Sequence, residues 1–270
     1  MLKSLFKQKN KLRPIDIAQI PAGKRVYAVG DVHGRNDLLK ELLRKILEDD
    51  HNRGPAEMQI IMLGDLVDRG PDSAGVIDTA MALKDWKPET RFLTGNHEEV
   101  FLDAIQSGDP KSVRFFVRIG GESTILSYPI SRKDYLKLDM KELTEKLPAL
   151  IPQKHIDFLN SFEDQIIIGD YVFVHAGIRP GVALEDQETR DLRWIRGVFL
   201  NHKGDLEKVV VYGHTINKDV DEARSRIGID TGAYDTGKLT AIGLEGGERW
   251  YLQTGEKKKD GKKSEKKKAG

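Results

Sequence analysis

RVYAVGDVHG, residues 25–34, is a short apolar run that stops at a glycine followed by an aspartate. The same pattern of a β-branched or aromatic run ending at a polar, glycine-marked corner recurs four times, in QIIMLGD (59–65), TRFLTGN (90–96), YVFVHAG (171–177) and VVVYGH (209–214). These runs are mostly continuous rather than alternating, as expected for strands that are buried on both faces. We therefore predict five core strands, each followed by a corner that carries a polar residue.

Helical patterns fill the gaps between the first three runs. An amphipathic helix after Asn36 is indicated by apolar residues at helical spacing, namely Leu38, Leu39, Leu42, Leu43, Ile46 and Leu47. Ser73 is a candidate N-cap for a second helix, and residues 100–105 suggest a third. Strands that alternate with helices predict an α/β fold with parallel strands. A hairpin predicted at 165–177 and consecutive strands over 226–253 add antiparallel pairs, so mixed sheets are expected.

The composition is that of a globular protein without a membrane span. Of 270 residues, 39% are apolar and 32% are charged, and no stretch approaches the ~18–20 apolar residues of a transmembrane helix. The absence of cysteine excludes disulfides, thiolate metal sites and thiol catalysis. We expect a soluble, cytoplasmic protein with one domain at 23–253, a helical insertion at about 130–162, a basic N-terminal arm (1–22) and a disordered lysine-rich tail (254–270).

The net charge of +1 conceals an uneven distribution. Residues 1–13 and 256–270 each carry five more basic than acidic residues, which leaves −9 for residues 14–255. An acidic domain argues against a nucleic-acid-reading surface on the domain itself. The tail is either a solvated segment, which we favour, or a weak electrostatic tether to a polyanion that activity does not require.

Each of the five corners carries side chains that bind divalent metal ions well. These are Asp31, His33, Asp65, Asn96, His175 and His214. Since the carboxyl ends of strands in an open α/β sheet meet at one crevice, we expect these side chains to converge. One such corner alone is more often a plain turn or a packed histidine, but five in the same register are hard to obtain by chance. A sulfur-free set of carboxylates and imidazoles suits manganese, iron or zinc, and six ligands fit two ions that share one aspartate.

These corners also carry a family resemblance. Three blocks resemble the signature of the phosphoprotein phosphatases, within the calcineurin-like metallophosphoesterases, and two resemble that family's later histidine blocks: GDVHGR (30–35), GDLVDRG (64–70), GNHEE (95–99), FVHAG (173–177) and YGHT (212–215). Three further stretches are similar to the bacterial serine/threonine phosphatase branch: 120–128, 192–200 and 227–242. The resemblance extends from about Val26 to Leu244 and implies a four-layer α/β/β/α sandwich with mixed sheets and a dinuclear site at the sheet edge.

The resemblance also implies a ligand set and a reaction. One ion would be held by Asp31, His33 and Asp65, and the other by Asp65, Asn96, His175 and His214. A hydroxide bridging the two ions would attack phosphorus in line, without a phosphoenzyme. The substrates implied are phosphorylated protein side chains, and the sequence leaves phosphoserine, phosphothreonine and phosphotyrosine open.

Four more residues take roles by the same resemblance. His97 is similar to the family's general acid and Asp68 to the carboxylate that orients it. Arg69 and Arg196 are similar to its phosphate-binding arginines, although Gly197 stands where the family usually has a glutamate. Glu98 is a candidate for supporting the site from behind the ligands.

The same residues leave two other functions open. Symmetrical diadenosine tetraphosphate hydrolases share most of these blocks, but their second block usually lacks the aspartate found here as Asp68, and no aromatic cluster offers a nucleobase platform. An inactive phosphate-binding adaptor is disfavoured because the proposed ligands and the pair of His97 and Asp68 are all present. Tyr234 is expected to flank a turn, with a place at the rim of the pocket as the alternative, and His155, which lies outside the motifs, is expected to be solvated.

Overall fold

The computed structural model describes residues 12–255, and this part of the chain contains ten strands and twelve α-helices. In chain order the strands are β1 (Lys24–Val29), β2 (Glu57–Met62), β3 (Arg91–Phe92), β4 (Gln165–Ile168), β5 (Tyr171–Val174), β6 (Val209–Tyr212), β7 (Asp221–Glu222), β8 (Arg226–Gly228), β9 (Thr240–Glu245) and β10 (Glu248–Gln253). The helices are α1 (Pro14–Ile17), α2 (Asn36–Arg53), α3 (Ser73–Trp86), α4 (Asn96–Gln106), α5 (Pro110–Phe116), α6 (Glu122–Leu126), α7 (Arg132–Tyr135), α8 (Met140–Leu150), α9 (Gln153–Asn160), α10 (Thr189–Trp194), α11 (Gly197–Leu200) and α12 (Ala233–Thr236).

The strands form two mixed sheets of five strands each. The first sheet has the order β10-β9-β1-β2-β3, in which β1, β2 and β3 are parallel and β9 and β10 pair antiparallel. The second has the order β4-β5-β6-β8-β7, in which β5, β6 and β8 are parallel and the two edge strands are antiparallel. Within each sheet the parallel triplet places its carboxyl ends along one edge, where the following loops can carry a site.

The layer between the two sheets is apolar, and alternate residues of each strand contribute to it. On β1, Val26 and Ala28 face this layer, whereas Tyr27 and Val29 face the helices on the outer side. Burial of a valine side chain such as Val26 or Val29 stabilises the fold by roughly 1.5–3 kcal/mol relative to leaving it exposed. Burial on both faces explains why the strand is a continuous apolar run.

The two outer layers differ in thickness. The first sheet is covered by α2 and α3, and α2 packs Leu38, Leu42 and Ile46 against it along one helix face. The second sheet is covered by the short helices α10 and α11, through Leu192 and Phe199. The expected four-layer α/β/β/α sandwich with mixed sheets is thus confirmed, and its fourth layer is thin.

A helical insertion, α5 to α9, lies between α4 and β4 and has a core of its own. It runs from Pro110 to Asn160, so it begins about twenty residues before the predicted start at 130. Its first helices are short and are joined by a π-helical turn, Val117–Gly121, in which Gly120 has a φ of 122°. A periodic helix signal is weak over such short pieces, which is why the prediction started late.

His155, on α9, is buried rather than solvated. It is 1% exposed, and its ring nitrogens lie 2.9 Å from the Tyr128 hydroxyl and 3.1 Å from an Asp78 carboxylate oxygen. The face of α9 that carries Ile156 and Leu159 packs into the insertion core and takes the imidazole with it. The prediction of a solvated histidine is wrong here because two polar partners make its burial possible.

The packed domain begins before residue 23. Ile15 on α1 and Ile20 are 1% and 2% exposed and belong to the apolar layer between the sheets. The Arg249 guanidinium also donates a hydrogen bond to the Ile15 carbonyl at 3.0 Å. Residues 1–11 and 256–270, which hold most of the basic arm and nearly all of the lysine-rich tail, lie outside the described residues. Over 12–255, no helix combines the length and the apolarity that crossing a membrane requires.

Candidate metal centre

Strands from both sheets end at the same edge of the sandwich. Three strands of the first sheet lead into Asp31, Asp65 and Asn96, and two of the second lead into His175 and His214. The six residues predicted to bind metal are all buried, with at most 6% exposure: Asp31, His33, Asp65, Asn96, His175 and His214. Asp65 lies within one cluster with His175 and His214 and within a second that includes His33.

The first cluster is centred on His175. Its Nδ1 donates to the Leu63 carbonyl at 2.8 Å, so its Nε2 carries a lone pair, and burial lowers the pKa of the ring so that it stays neutral. That Nε2 lies 3.1 Å from Asn96 Oδ1, 3.2 Å from His214 Nδ1 and 3.4 Å from Asp65 Oδ1. Of these four atoms only His214 Nδ1 can carry a proton, so three lone pairs face one another.

This spacing fits a bound cation. Ligand atoms that surround one ion at ~2.0–2.2 Å lie ~3.0–3.4 Å from one another. The separations of 3.1–3.4 Å around His175 Nε2 fall in that range. A cation between the lone pairs would also remove their mutual repulsion, so the donor set fits a metal ion in both geometry and charge.

The second cluster contains His33, Asp65 and His97, and Asp31 lies within electrostatic range of Asp65. His33 Nδ1 donates to the Val67 carbonyl at 2.8 Å, burial lowers the pKa of the ring to about 3, and Nε2 lies 3.6 Å from Asp65 Oδ2. Asp65 therefore presents one oxygen to each cluster. Asp31 accepts a hydrogen bond from the His214 backbone through Oδ2 at 2.9 Å, whereas its buried Oδ1 has no hydrogen-bond partner among the described residues. Such an orphaned oxygen is suited to a metal ion.

Asp230 is a second acid beside Asp31 that the sequence analysis missed. Burial, followed by the charges of Asp230 and Asp65, raises the pKa of Asp31 well above its usual range. Burial likewise raises the pKa of Asp230 to about 6. Three neighbouring buried carboxylates are costly without a compensating cation. The sequence held a signal for Asp230, because RIGID (226–230) ends a strand at a polar corner in the same way as the five runs already counted.

His97 lies against His33, with ring centroids 4.7 Å apart, but both of its nitrogens are engaged elsewhere. Its Nδ1 is 2.6 Å from Asp68 Oδ2, and its Nε2 is 3.0 Å from Arg69 Nη2. Burial lowers the pKa of His97, but Asp65 and Asp68 outweigh it and raise the pKa above the usual value. These contacts suit a proton donor better than a metal ligand.

Asp68 is itself held in place from the insertion. It is fully buried, and its Oδ1 accepts a hydrogen bond from the Thr124 hydroxyl at 2.7 Å. The Asp68 backbone N–H donates to Thr124 Oγ1 at 2.8 Å and to Ser73 Oγ at 3.0 Å. Thr124 was not predicted as a site residue, and its separation of 56 residues from Asp68 left no local signal.

The two predicted phosphate-binding arginines lie in different surroundings. The Arg69 guanidinium sits 4.8 Å above the Tyr234 ring, which also packs edge-on against His33. Tyr234 therefore borders the site rather than only flanking a turn. Arg196 is exposed, and its guanidinium makes no hydrogen bond or ion pair with any other described residue. Its charge adds to the burial that lowers the pKa of His214, which places it within electrostatic range of the ligands.

Glu98 organises the loop that follows β2. Its buried carboxylate accepts hydrogen bonds from four backbone N–H groups: Gly95 at 2.9 Å, Asp65 at 2.7 Å, Leu66 at 2.7 Å and Val67 at 3.3 Å. The sequence predicts only a supporting role for Glu98, whereas in the structure its carboxylate binds the backbone of both the loop after β2 and the start of α4. A glutamate three residues after Gly95, at the start of a helix, is a capping-box pattern that could have indicated it.

The loops of the site carry unusual backbone conformations. Five non-glycine residues have left-handed φ values between 45° and 73°: His33, Asp65, Asp68, Arg69 and His214. Such a conformation costs on the order of 1–3 kcal/mol per residue and persists only where the surroundings enforce it. The backbone hydrogen bonds to Glu98 and to Thr124 supply that enforcement in the loop after β2.

Comparisons with known proteins agree with this site. A model of the calcineurin-like phosphoesterase family matches residues 24–235. Serine/threonine-protein phosphatase 1 of Salmonella typhimurium is 28% identical over 245 residues, which cover 87% of this chain and all of that protein. The bis(5′-nucleosyl)-tetraphosphatase PrpE (asymmetrical) of Anoxybacillus flavithermus is 27% identical over 237 residues, covering 79% of this chain and 88% of that protein.

A solved structure extends the comparison to the fold. A candidate diadenosine tetraphosphatase aligns with a TM-score of 0.60 at 21% identity, covering 87% of this chain and 98% of its own. At that identity the likeness concerns the fold alone. The family match, by contrast, spans most of the chain and includes the buried His and Asp clusters. The chain belongs to the calcineurin-like phosphoesterase family, whose members hydrolyse phosphoesters with divalent metal ions.

Proposed function

We propose that this chain is a phosphomonoesterase that uses two divalent metal ions to remove phosphate from phosphorylated protein side chains. The observation that carries this proposal is the buried pair of His97 and Asp68, with a 2.6 Å contact, beside the proposed ligand His33. The relative named serine/threonine-protein phosphatase 1 supports the substrate class.

Six side chains would hold the ions: Asp31 and His33 on one side, Asn96, His175 and His214 on the other, and Asp65 shared between them. When bound, the ions lower the pKa of water toward neutrality and offset charge on the phosphoryl group. Half of the six donors are carboxylate or amide oxygens, which favours manganese over softer ions, although iron and zinc also suit the set.

His97 would protonate the leaving oxygen. Asp68 holds its Nδ1–H, so Nε2 is the position from which a proton leaves. Arg69 donates to that Nε2 in the structure, and a phosphate that draws the guanidinium away would free Nε2 to take up a proton. Transfer of this proton to a serine or threonine oxygen leaves a neutral imidazole that Asp68 still orients. No side-chain nucleophile is required.

Arg69 and Arg196 would bind the phosphate oxygens. A guanidinium offers two parallel N–H groups that match two oxygens of a phosphate. Arg69 follows a strand of the first sheet, and Arg196 lies on the layer that covers the second sheet. The two cations would therefore approach the phosphate from opposite sides of the site.

Hydrolysis of a bis(nucleosyl)tetraphosphate is the second candidate, because a relative carries that name. That relative is of the asymmetrical kind, whereas the sequence analysis considered the symmetrical kind. Cleavage of a phosphoanhydride releases a stable phosphate anion that needs little help from a general acid, so the pair of His97 and Asp68 favours an ester. Tyr234 is also a poor platform for a nucleobase, since His33 and Arg69 already contact its ring.

The test is a comparison of initial rates with manganese on phosphoserine, phosphothreonine and phosphotyrosine peptides beside diadenosine tetraphosphate. Asp31→Asn serves as the blank. Faster turnover of at least one peptide is expected, and faster turnover of the dinucleotide would overturn the proposal in favour of the second candidate. Metal analysis checks the inactive adaptor, since fewer than one ion per chain after manganese supplementation would point to it.

A further inference from the structure

A line of three arginines leads away from the proposed metal site. Arg190 and Arg193 lie three residues apart on α10 and therefore share one helix face. Arg196 comes three residues after Arg193 and is the residue directly before α11. The Leu192 carbonyl on α10 accepts a hydrogen bond at 2.8 Å from the N–H of Ala176, the residue directly after the proposed ligand His175, so the arginine strip lies beside the proposed metal centre.

A cavity of about 700 Å³ lies along the arginine strip. Its lining residues are Glu99, Thr189, Arg190, Arg193 and Trp194. Glu99 stands three residues after the proposed ligand Asn96 on α4, so one wall of the cavity lies on the helix face that carries Asn96.

Arg193 is the neutralised member of the strip. Its guanidinium pairs with Asp164 at 2.7 Å and with Glu99 at 3.0 Å, and the Trp194 indole N–H donates to Glu99 at 3.3 Å. These contacts fix α10 against α4 and give the cavity a rigid wall. Arg193 is therefore a structural element of the strip and not an available charge.

Arg190 and Arg196 are available charges. Both are exposed, and neither guanidinium makes a hydrogen bond or an ion pair with another described residue. Residues 14–255 carry a net charge of −9, so this positive strip is opposite in sign to the domain that bears it. A local patch of opposite sign selects partners by charge and repels the wrong ones.

We propose that the arginine strip docks acidic side chains of the substrate, so that the enzyme prefers phosphorylated residues flanked by aspartate or glutamate. This inference rests on the proposed phosphatase function. The separation of Arg196 from Arg190 is on the order of 10 Å for six mostly helical residues. An extended peptide covers that distance in about three residues. Acidic residues about three positions from the phosphorylated residue would therefore reach Arg190 while the phosphate lies at Arg196.

The experiment uses two series of phosphoserine peptides on the full chain with manganese. One series carries aspartate, alanine or lysine two to four positions before the phosphoserine, and the other carries them after it. In one of the series KM is expected to be about three- to tenfold lower with aspartate than with alanine, the effect of one or two exposed ion pairs, with kcat little changed. The preference should shrink as salt is raised, because exposed charges are screened.

Variants assign the preference to the strip. Arg190→Ala should abolish the preference for aspartate, and Arg190→Glu should reverse it toward lysine. Arg44→Glu is the matched control, since it makes the same charge change on α2, on the opposite outer layer of the sandwich. It should retain the preference of the unmodified protein. Hydrolysis of p-nitrophenyl phosphate should be the same in all four proteins, which reports that the metal centre is intact.

Equal KM values for the aspartate and alanine peptides in both series would overturn the inference. So would a preference that Arg190→Glu leaves unchanged. Failure of the proposed function has a different signature. In that case p-nitrophenyl phosphate is hydrolysed but no peptide of either series is.

Discussion

The two sheets contribute to the proposed metal centre in different ways. The first sheet supplies four of the six proposed ligands from three consecutive strand–loop–helix units, so each ligand lies within a few residues of the loop that positions it. The second supplies only His175 and His214, one after each of two strands. His175 is positioned by the Leu63 carbonyl of the first sheet, 112 residues away. One half of the site thus depends on local loop conformation and the other on how the two sheets pack.

Asp65 is where these two halves meet. Its Oδ1 faces His175 of the second sheet, and its Oδ2 faces His33 of the first. A substitution can therefore disrupt both clusters of proposed ligands or only one of them. A third kind leaves both clusters intact and disturbs only His97, the proposed general acid. The expected effects fall in that order.

Asp65→Asn should have the largest effect. An amide cannot present an anionic oxygen to both clusters, so we expect both ions to be lost and kcat/KM to fall by at least ~10³-fold. Metal analysis of the purified variant, with circular dichroism as a check of folding, measures this. A folded variant that keeps two ions per chain would contradict the shared role of Asp65.

The variants Asp31→Asn and His175→Asn test the two proposed ion sites one at a time. Each should reduce the metal content from two ions to one and lower kcat/KM by ~10²–10³-fold, because one Lewis acid remains. His175 lies 3.1–3.4 Å from three other donors, whereas Asp31 has one unpartnered oxygen, so His175→Asn should weaken manganese binding more. Isothermal titration with manganese compares the two variants. Equal weakening would mean that the clusters are not distinct.

Asp68→Asn should have the smallest effect of the series. The Asp68 charge helps to raise the pKa of His97, so its removal lowers that pKa and the protonated acid is lost at a lower pH. We expect kcat on phosphoserine peptides to fall ~10²-fold and the alkaline limb of the pH–rate profile to move to lower pH.

The metal content of Asp68→Asn should stay at two ions per chain, which separates this variant from the preceding ones. An aryl phosphate, whose leaving group needs less protonation, should be less impaired than a phosphoserine peptide. An alkaline limb that does not move would show that His97 is not the group that titrates there.

The fold was predictable because its signals are local. A continuous apolar run followed by glycine and a polar residue marks both a doubly buried strand and the corner after it, and all five such runs lie at strands in the structure. The start of the domain was not predictable in this way. Ile15 and Ile20 are buried against residues far away in the chain, and the segment that carries them is too short for a periodic signal.

The site was predictable only as far as its motifs reach. The motifs named side chains that lie at strand ends, and four of them, His33, Asp65, His175 and His214, lie in two adjoining clusters in the structure. The residues around the proposed ligands were not predicted, because they reach the site through long-range contacts. Thr124 reaches Asp68 from the insertion, and Asp230 reaches Asp31 from the second sheet. The contact of Thr124 has no spacing that a sequence pattern records, whereas Asp230 ends a strand at a polar corner that could have been counted with the other five.

The left-handed backbone at His33, Asp65, Asp68, Arg69 and His214 also bears on how this chain can change. Glycine adopts that conformation freely, so glycine at any of these positions would relieve on the order of 1 kcal/mol or more of strain. The same substitution would delete a side chain on which the proposed chemistry depends. Stability and activity are therefore opposed at these five positions. The strain in these loops is therefore part of the free energy that the fold gives up to hold the proposed centre.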